Sequence, residues 1–363
     1  MGGNGGLSIG AALERRGHNN FDLIRLFAAL MVLWSHDYLI LGTGDRLAPM
    51  LLDYDTGGGF GVTLFFVISG FLVTRSAARR DSWAYLRARA LRLLPALAVV
   101  VLASVLLLGP LATTLPLDAY FSAPATWAYL GNILLPGGPV FVLPGVFGGA
   151  AVNGSLWTLP LEVGFYLLLV PLKVLGGLAR GLILAVLAAF ALAFAVAAGW
   201  GGLGWGAPGP VVWSGLCAYP VLRYGLAFFS GAALWAWRDR VPLSGPLALV
   251  GLLALWGAAG SAAAPVAYAL CLPYLVIYAA LAHPPRFDLT GRIGDLSYGT
   301  YLLAFPIQQS LIHAIGPEAI TPMILHLTVT PLALAGAALL WRRVERPCLA
   351  RKDRRPVPPA VAA

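Results

Sequence analysis

Apolar residues in this chain gather into long unbroken runs, not into the one-face spacing of a surface helix or the alternation of a half-buried strand. Runs of about 20 residues recur to the end, each long enough to cross hydrocarbon as a helix. They lie near 21–41, 58–74, 93–114, 156–174, 181–199, 216–237, 242–260, 264–283, 293–315 and 320–341. The pattern predicts an all-α, polytopic membrane protein with about ten transmembrane helices. Residues 1–19 then form an N-terminal segment, 20–347 the membrane domain and 348–363 a basic, Pro-rich, disordered tail. The turn between the seventh and eighth runs, in GAAGSAAAPVAYALCLP, is weakly marked.

The polar positions sharpen this picture. Arg75, Arg79, Arg80, Arg87, Arg89 and Arg92 share one connection, Arg238 and Arg240 another, Arg286 and Arg292 a third, and the last group follows Arg342. The intervening loops are nearly free of cations, Arg46 being the main exception. This alternation is the positive-inside pattern. An even number of spans places both termini in the cytoplasm. Pro160, Pro171, Pro220, Pro273, Pro306 and Pro331 fall within or beside spans, where neighbouring helices can satisfy the freed carbonyls.

Composition excludes the main alternatives. Of 363 residues, 59% are apolar and 11% charged, far from a soluble globular balance. The net charge of +9 is explained by topology, so nucleic acid is not an expected partner. Cys217, Cys271 and Cys348 are too scattered for a disulfide framework or a metal site. Arg15 and Arg16 precede the first span without a cleavage site close behind it, which reads as an uncleaved first helix.

The longest outer connection, 115–155, holds LPGGPVFVLPGVFGGAAVNGS and neither Lys nor Arg. Gly and Pro at that density argue against a regular helix. It reads as a loose connector or as a re-entrant lid over an outward-facing site. Asn153-Gly154-Ser155 matches a glycosylation triplet, a pattern that also arises by chance.

Ionisable residues within spans are costly and mark function. Arg25 and His36 lie eleven positions apart in FDLIRLFAALMVLWSHDYLIL. That spacing gives roughly 16 Å of rise and an angular offset of about 20°, so both leave one helix face. Arg25 sits at the cytoplasmic mouth, as a phosphate-binding cation or a snorkelling anchor. His36 sits in the outer half, as a base or an interhelical hydrogen-bonding residue. A phosphopantetheine arm has a similar extended length. Arg89 and Arg92, at i and i+3 in YLRARALRLLP, offer a paired guanidinium face at the start of the third span. Pro95 suits that helix's first turn. Glu162, in NGSLWTLPLEVGFYLLLVP, lies at a depth similar to His36 and could orient its imidazole or serve as a structural acceptor. Ser69-Gly70 reads first as helix packing, Trp157 as an interfacial ring, and Gln308 and Gln309 as interhelical glue. Arg223 needs a carboxylate, with Glu162 or Asp37 as candidates.

Taken in order, these segments resemble the acyltransferase-3 family of integral-membrane O-acyltransferases. Arg25 and His36 match its first-helix motif, GVTLFFVISGFLV its second and Arg89-x-x-Arg92-x-x-Pro95 its third. Ser155 to Leu159 with Glu162 and Tyr166 is similar to its tryptophan–glutamate motif, and LSYGTYLLAFP and WRRVERP to its closing signatures. Ala304 stands where the family commonly has His, and Val163 follows Glu162 where a second acid is common.

The resemblance implies transfer of an acyl group, typically acetyl from acetyl-CoA, to a hydroxyl of an extracytoplasmic or lipid-linked carbohydrate, in the inner (plasma) membrane. No metal is implied. His36 and Glu162 are then expected to be catalytic, with Arg25, Arg89, Arg92 and Ser69 on the acyl-CoA. Arg223, Trp157, Tyr166 and Gln308 are candidates for substrate or oxyanion contacts. The rival expectation is a transporter or flippase of acylated sugars or lipids that performs no chemistry.

Overall fold

A computed structural model describes residues 7–15, 19–47, 51, 55–134, 138–200, 208–261, 263–282 and 293–351. It is mostly helical. The principal helices are α1 (Ile9–Arg15), α2 (Phe21–Ile40), α3 (Gly57–Arg79), α4 (Ser82–Ala103), α5 (Thr158–Gly176), α6 (Arg180–Trp200), α7 (Ala218–Ala236), α8 (Gly245–Gly257), α9 (Ala264–Leu281), α10 (Ser297–Ile315) and α11 (Pro322–Leu340). Each of the ten apolar runs overlaps one of α2 to α11. Among the described residues, seven helical stretches are long and apolar enough to cross a membrane. The runs holding α7, α8 and α10 fall outside that set. α8 has only 13 residues, short of the roughly 20 that hydrocarbon requires. α7 carries Arg223, and α10 carries Gln308 and Gln309. One short antiparallel hairpin, Val211–Trp213 with Leu216–Cys217, departs from all-α.

α3 is the central helix, buried around most of its circumference. It packs between α2 and α7. The sequence permits this because Gly70 faces the Phe228 carbonyl on α7, while Gly231 of α7 faces the Val67 carbonyl. A Cβ at either position would collide with backbone, so the pair sets how closely the axes approach. Packing is therefore the role of the Ser69-Gly70 glycine, as its small size suggests. α2 and α3 are antiparallel, joined by Asp45, which accepts from Ser35 Oγ at 2.6 Å and from the Gly57 amide at 2.7 Å. Thr56 caps α3 by accepting from the Gly59 amide at 2.9 Å.

The third span starts earlier than its hydropathy suggests. Asp81 caps α4 by accepting from the Ala84 amide at 2.8 Å, so Arg89, Arg92 and Pro95 all lie inside the helix and Pro95 is not in its first turn. α4 runs on through a π-helical turn, Ser104–Leu108, to Ala112. The 115–155 connection is folded, not loose. It contains short helices at Leu117–Ser122 and Pro124–Ala128 and a 3-10 turn at Tyr129–Ile133. Asn132 donates to the Val140 carbonyl and accepts from its amide, and Gln309 of α10 donates to the Ala151 carbonyl at 2.9 Å. Asn153 is fully buried and donates to the Leu302 carbonyl at 2.9 Å, which removes it as a glycosylation acceptor. The disordered-tail expectation falls largely outside the described residues.

The α3–α7 crossing gives a test of the fold. Gly70→Val should destabilise the protein by about 2 kcal/mol through overpacking, seen as a lowered thermal midpoint in detergent, whereas Gly257→Ala, which faces open space, should leave the midpoint unchanged.

Candidate active site

One end of the bundle is arginine-rich. There the start of α2, the end of α3, the first half of α4 and the segment before α10 surround an open vestibule. Arg25, Arg89 and Arg92 line it, and the same three residues line a second, narrower cavity deeper in the bundle. They form a ring of cations between the two spaces.

The three guanidinium groups are held differently. Arg92 is bracketed by Asp295, in close contact, and by Glu345 Oε2 at 3.2 Å. Arg25 pairs with Asp22 at 3.0 Å and reaches Asp295 at 3.7 Å. Arg89 has no carboxylate partner among the described residues. It lies over the Tyr166 ring at 5.9 Å, and its buried Nε makes no hydrogen bond. An orphaned guanidinium donor is expensive to bury and is available for an anion.

Glu162 faces the inner cavity from α5. Its Oε1 accepts from the Tyr166 phenol, in close contact, and from Ser69 Oγ at 3.4 Å. The spacing explains the first contact, because residues four apart share a helix face. Tyr298 and Tyr301 of α10 line the same cavity. Tyr298 donates to the Leu93 carbonyl at 3.0 Å, and Tyr301 to the Ser155 carbonyl at 2.7 Å. The chamber thus combines a carboxylate, a serine hydroxyl, phenols and an unpaired cation within an apolar wall.

His36 lies beyond the far end of this chamber. Its ring sits edge-on to Phe305 with centroids 5.0 Å apart, and its buried Nδ1 has no hydrogen-bond partner. Phe305 is one turn along α10 from Tyr301, on the same face. Gly154 packs closely against the Phe305 ring, since a Cβ there would stand 2.7 Å from it.

The acyltransferase-3 family model, described as an acyltransferase domain, matches residues 18–342. The chain is 33% identical over 343 residues to an O-acetyl transferase of Shigella phage Sf6, covering 92% of this chain and 97% of that one. It is 32% identical over 355 residues to nodulation protein 10 of Rhizobium leguminosarum bv. viciae, covering 92% and 94%. No solved structure matches.

The chain belongs to the acyltransferase-3 family. Of the site residues expected from the sequence, Arg25, Arg89, Arg92, Ser69, Glu162 and Tyr166 converge on one cavity. His36 does not line it, and no hydrogen bond joins His36 to Glu162. The depth inferred for Glu162 needs correction. Phe21 stacks on Phe71 and Ser35 abuts Gly58, so the antiparallel α2 and α3 place His36 near residue 57 and Ser69 near Arg25. Glu162, bonded to Ser69, is therefore more than two helical turns from His36 along the bundle. The misplacement arises because α5 is preceded by a 3-10 turn, Gly154–Trp157, already inside the bundle.

Three further candidates find other surroundings. Arg223 is buried and pairs with Asp55, in close contact, not with Glu162 or Asp37. Tyr268 donates to the same carboxylate at 2.8 Å. Asp55 is buried just before α3, outside the apolar runs, so a span-by-span search does not find it. Gln308 donates to Asp37 Oδ1 at 2.6 Å and to the Leu33 carbonyl at 2.9 Å, the interhelical role expected of it. Trp157 packs beside Tyr224 with centroids 5.8 Å apart.

Sequence reasoning passes over two groups. Asp295 immediately precedes LSYGTYLLAFP and Glu345 sits in WRRVERP, where their neighbours are more conspicuous; the visible signal is an acid beside each of the last two runs. Asp37, fully buried, also meets His326 Nδ1 at 2.9 Å across the α2–α11 contact. Because Asp295 offsets both Arg92 and Arg25, Asp295→Ala should cost about 3 kcal/mol by stranding buried charge. Glu162→Gln should cost under about 1 kcal/mol. Paired thermal unfolding of the two variants checks this difference.

Proposed function

We propose that this protein is an inner-membrane O-acyltransferase that moves an acyl group, acetyl in the simplest case, from cytoplasmic acyl-CoA to a hydroxyl of an extracytoplasmic or lipid-linked carbohydrate. The observation that carries the reading is the passage from an arginine-lined vestibule, through the Arg25–Arg89–Arg92 ring, into a chamber holding Glu162, Ser69 and Tyr166. A small acyl group needs no such ring; a phosphorylated carrier does. The likeness to an O-acetyl transferase supports acetyl as the group moved. In this reading both termini and the vestibule face the cytoplasm, which the distribution of basic loops favours.

The donor's pyrophosphate rests at the ring, with the orphaned Arg89 Nε as one donor to it. Its pantetheine arm extends along the inner cavity, where the Glu162 carboxylate, held by Tyr166 and Ser69, accepts from the arm's amide groups. The rise of about 16 Å from Arg25 to His36 matches the arm. When the Phe305 ring turns aside, the thioester meets His36. The acceptor hydroxyl loses its proton to His36 Nδ1, its oxygen bonds the acyl carbon, the C–S bond breaks with its electron pair on sulfur, and the CoA thiolate takes the proton back from His36 and leaves toward the arginines as the thiol. The surrounding apolar wall keeps water from the thioester.

His36→Ala should lower acetyl transfer by at least about 100-fold while leaving CoA affinity within about twofold. Purified protein with acetyl-CoA and extracted envelope glycan, read by mass spectrometry for one added acyl group, measures both the activity and its loss. Transfer at the normal rate in His36→Ala contradicts the assignment, and no transfer by the parent protein favours transport without chemistry.

A further inference from the structure

The donor reading leaves part of the vestibule unexplained. Six arginines line it, three beyond the ring, against the carboxylates of Asp22 and Asp295. Both acids are engaged by Arg25 and Arg92. Arg75 and Arg79 lie four apart on α3, and neither has a carboxylate within ion-pair distance among the described residues. Like charges at that spacing repel. Arg238 adds to the repulsion at Arg75, and Glu14 of α1 opposes it without forming a contact ion pair.

Topology explains why cations lie at this end, but not why they converge on one cavity. Nor are they needed to cap α3. Lys173 of α5 already donates to the Ala77 carbonyl at 2.9 Å and, in closer contact, to that of Arg80. Asp81, the nearest acid in sequence, is turned to the α4 amides.

Resting on the donor reading above, we propose that Arg75 and Arg79 form a subsite for the 3′-phosphate of the CoA adenosine. The register of α2 against α3 supplies the length argument. Arg25 stands level with about residue 68 of α3, so Arg75 and Arg79 lie roughly 10 and 16 Å further toward the basic end. A nucleotide whose pyrophosphate sits at the ring carries its ribose phosphate outward over part of that interval, and the long arginine side chains cover the rest. The third phosphate then relieves the repulsion between the two arginines, and the site selects CoA over carriers that lack this phosphate.

The test is calorimetric titration of the full-length protein in nanodiscs with CoA and with dephospho-CoA, which lacks only the 3′-phosphate. The wild type should bind CoA at least tenfold more tightly. The Arg75→Gln/Arg79→Gln double variant should lose that difference while keeping the wild-type affinity for dephospho-CoA. The wild-type comparison needs no variant, so the proposal remains falsifiable if the double variant does not fold. Equal wild-type affinities overturn the subsite and leave the donor reading intact. A preference that survives in the folded double variant overturns its assignment to these arginines. Binding of neither nucleotide overturns the subsite and the donor reading together.

Discussion

Everything at the basic end of this molecule depends on how arginine charge is held beside an apolar bundle. A guanidinium cannot be neutralised by losing its proton, so each must find a carboxylate, water or a ligand. Asp295 meets the first need twice, for Arg92 and Arg25, and Glu345 completes the shell of Arg92. These acids come from the segment before α10 and the π-helical turn Trp341–Glu345 that follows α11, so the pairs also tie the last two principal helices to α2 and α4. Arg89, between them, is left with a buried unpaired nitrogen. The arrangement separates structural cations from one that is free to meet an anion.

The same economy of space sets the chamber behind the arginines. The reciprocal contacts of Gly70 and Gly231 bring α3 and α7 together at the level of Ser69. Phe66 of α3 is at once packed against Phe165 and Tyr224. That packing fixes the rotation of α3, so Ser69 is presented to Glu162 across the cavity. Local sequence, helix contact and chemistry meet within five residues of one helix.

Much of this was legible in the chain. Hydropathy located the helices because long apolar runs admit few other structures, and the convergence of Arg25, Arg89 and Arg92 followed from matched depth at one end. The site was readable only one helix at a time. The partner of Arg223 is Asp55, in a connection, because short loops fold into the ends of a bundle where no periodicity marks them. The separation of His36 from Glu162 was hidden because depth was counted from the hydropathy edge, and the 3-10 turn before α5 shifts that edge. The Asp37–His326 contact pairs the ends of α2 and α11, distant in sequence, and only tertiary packing brings it about.

The central claim is that a phosphorylated acyl carrier enters by the arginine vestibule and reaches into the Glu162 chamber. A cryo-electron microscopy map of the protein with a non-hydrolysable acetyl-CoA analogue tests it most directly. The account expects the pyrophosphate against Arg89 and Arg25, the pantetheine arm passing Glu162, and the Phe305 ring displaced toward the loop end with the acyl carbon beside His36. Phosphate density away from the arginine ring, or an acyl group on the vestibule side of the ring, would contradict it.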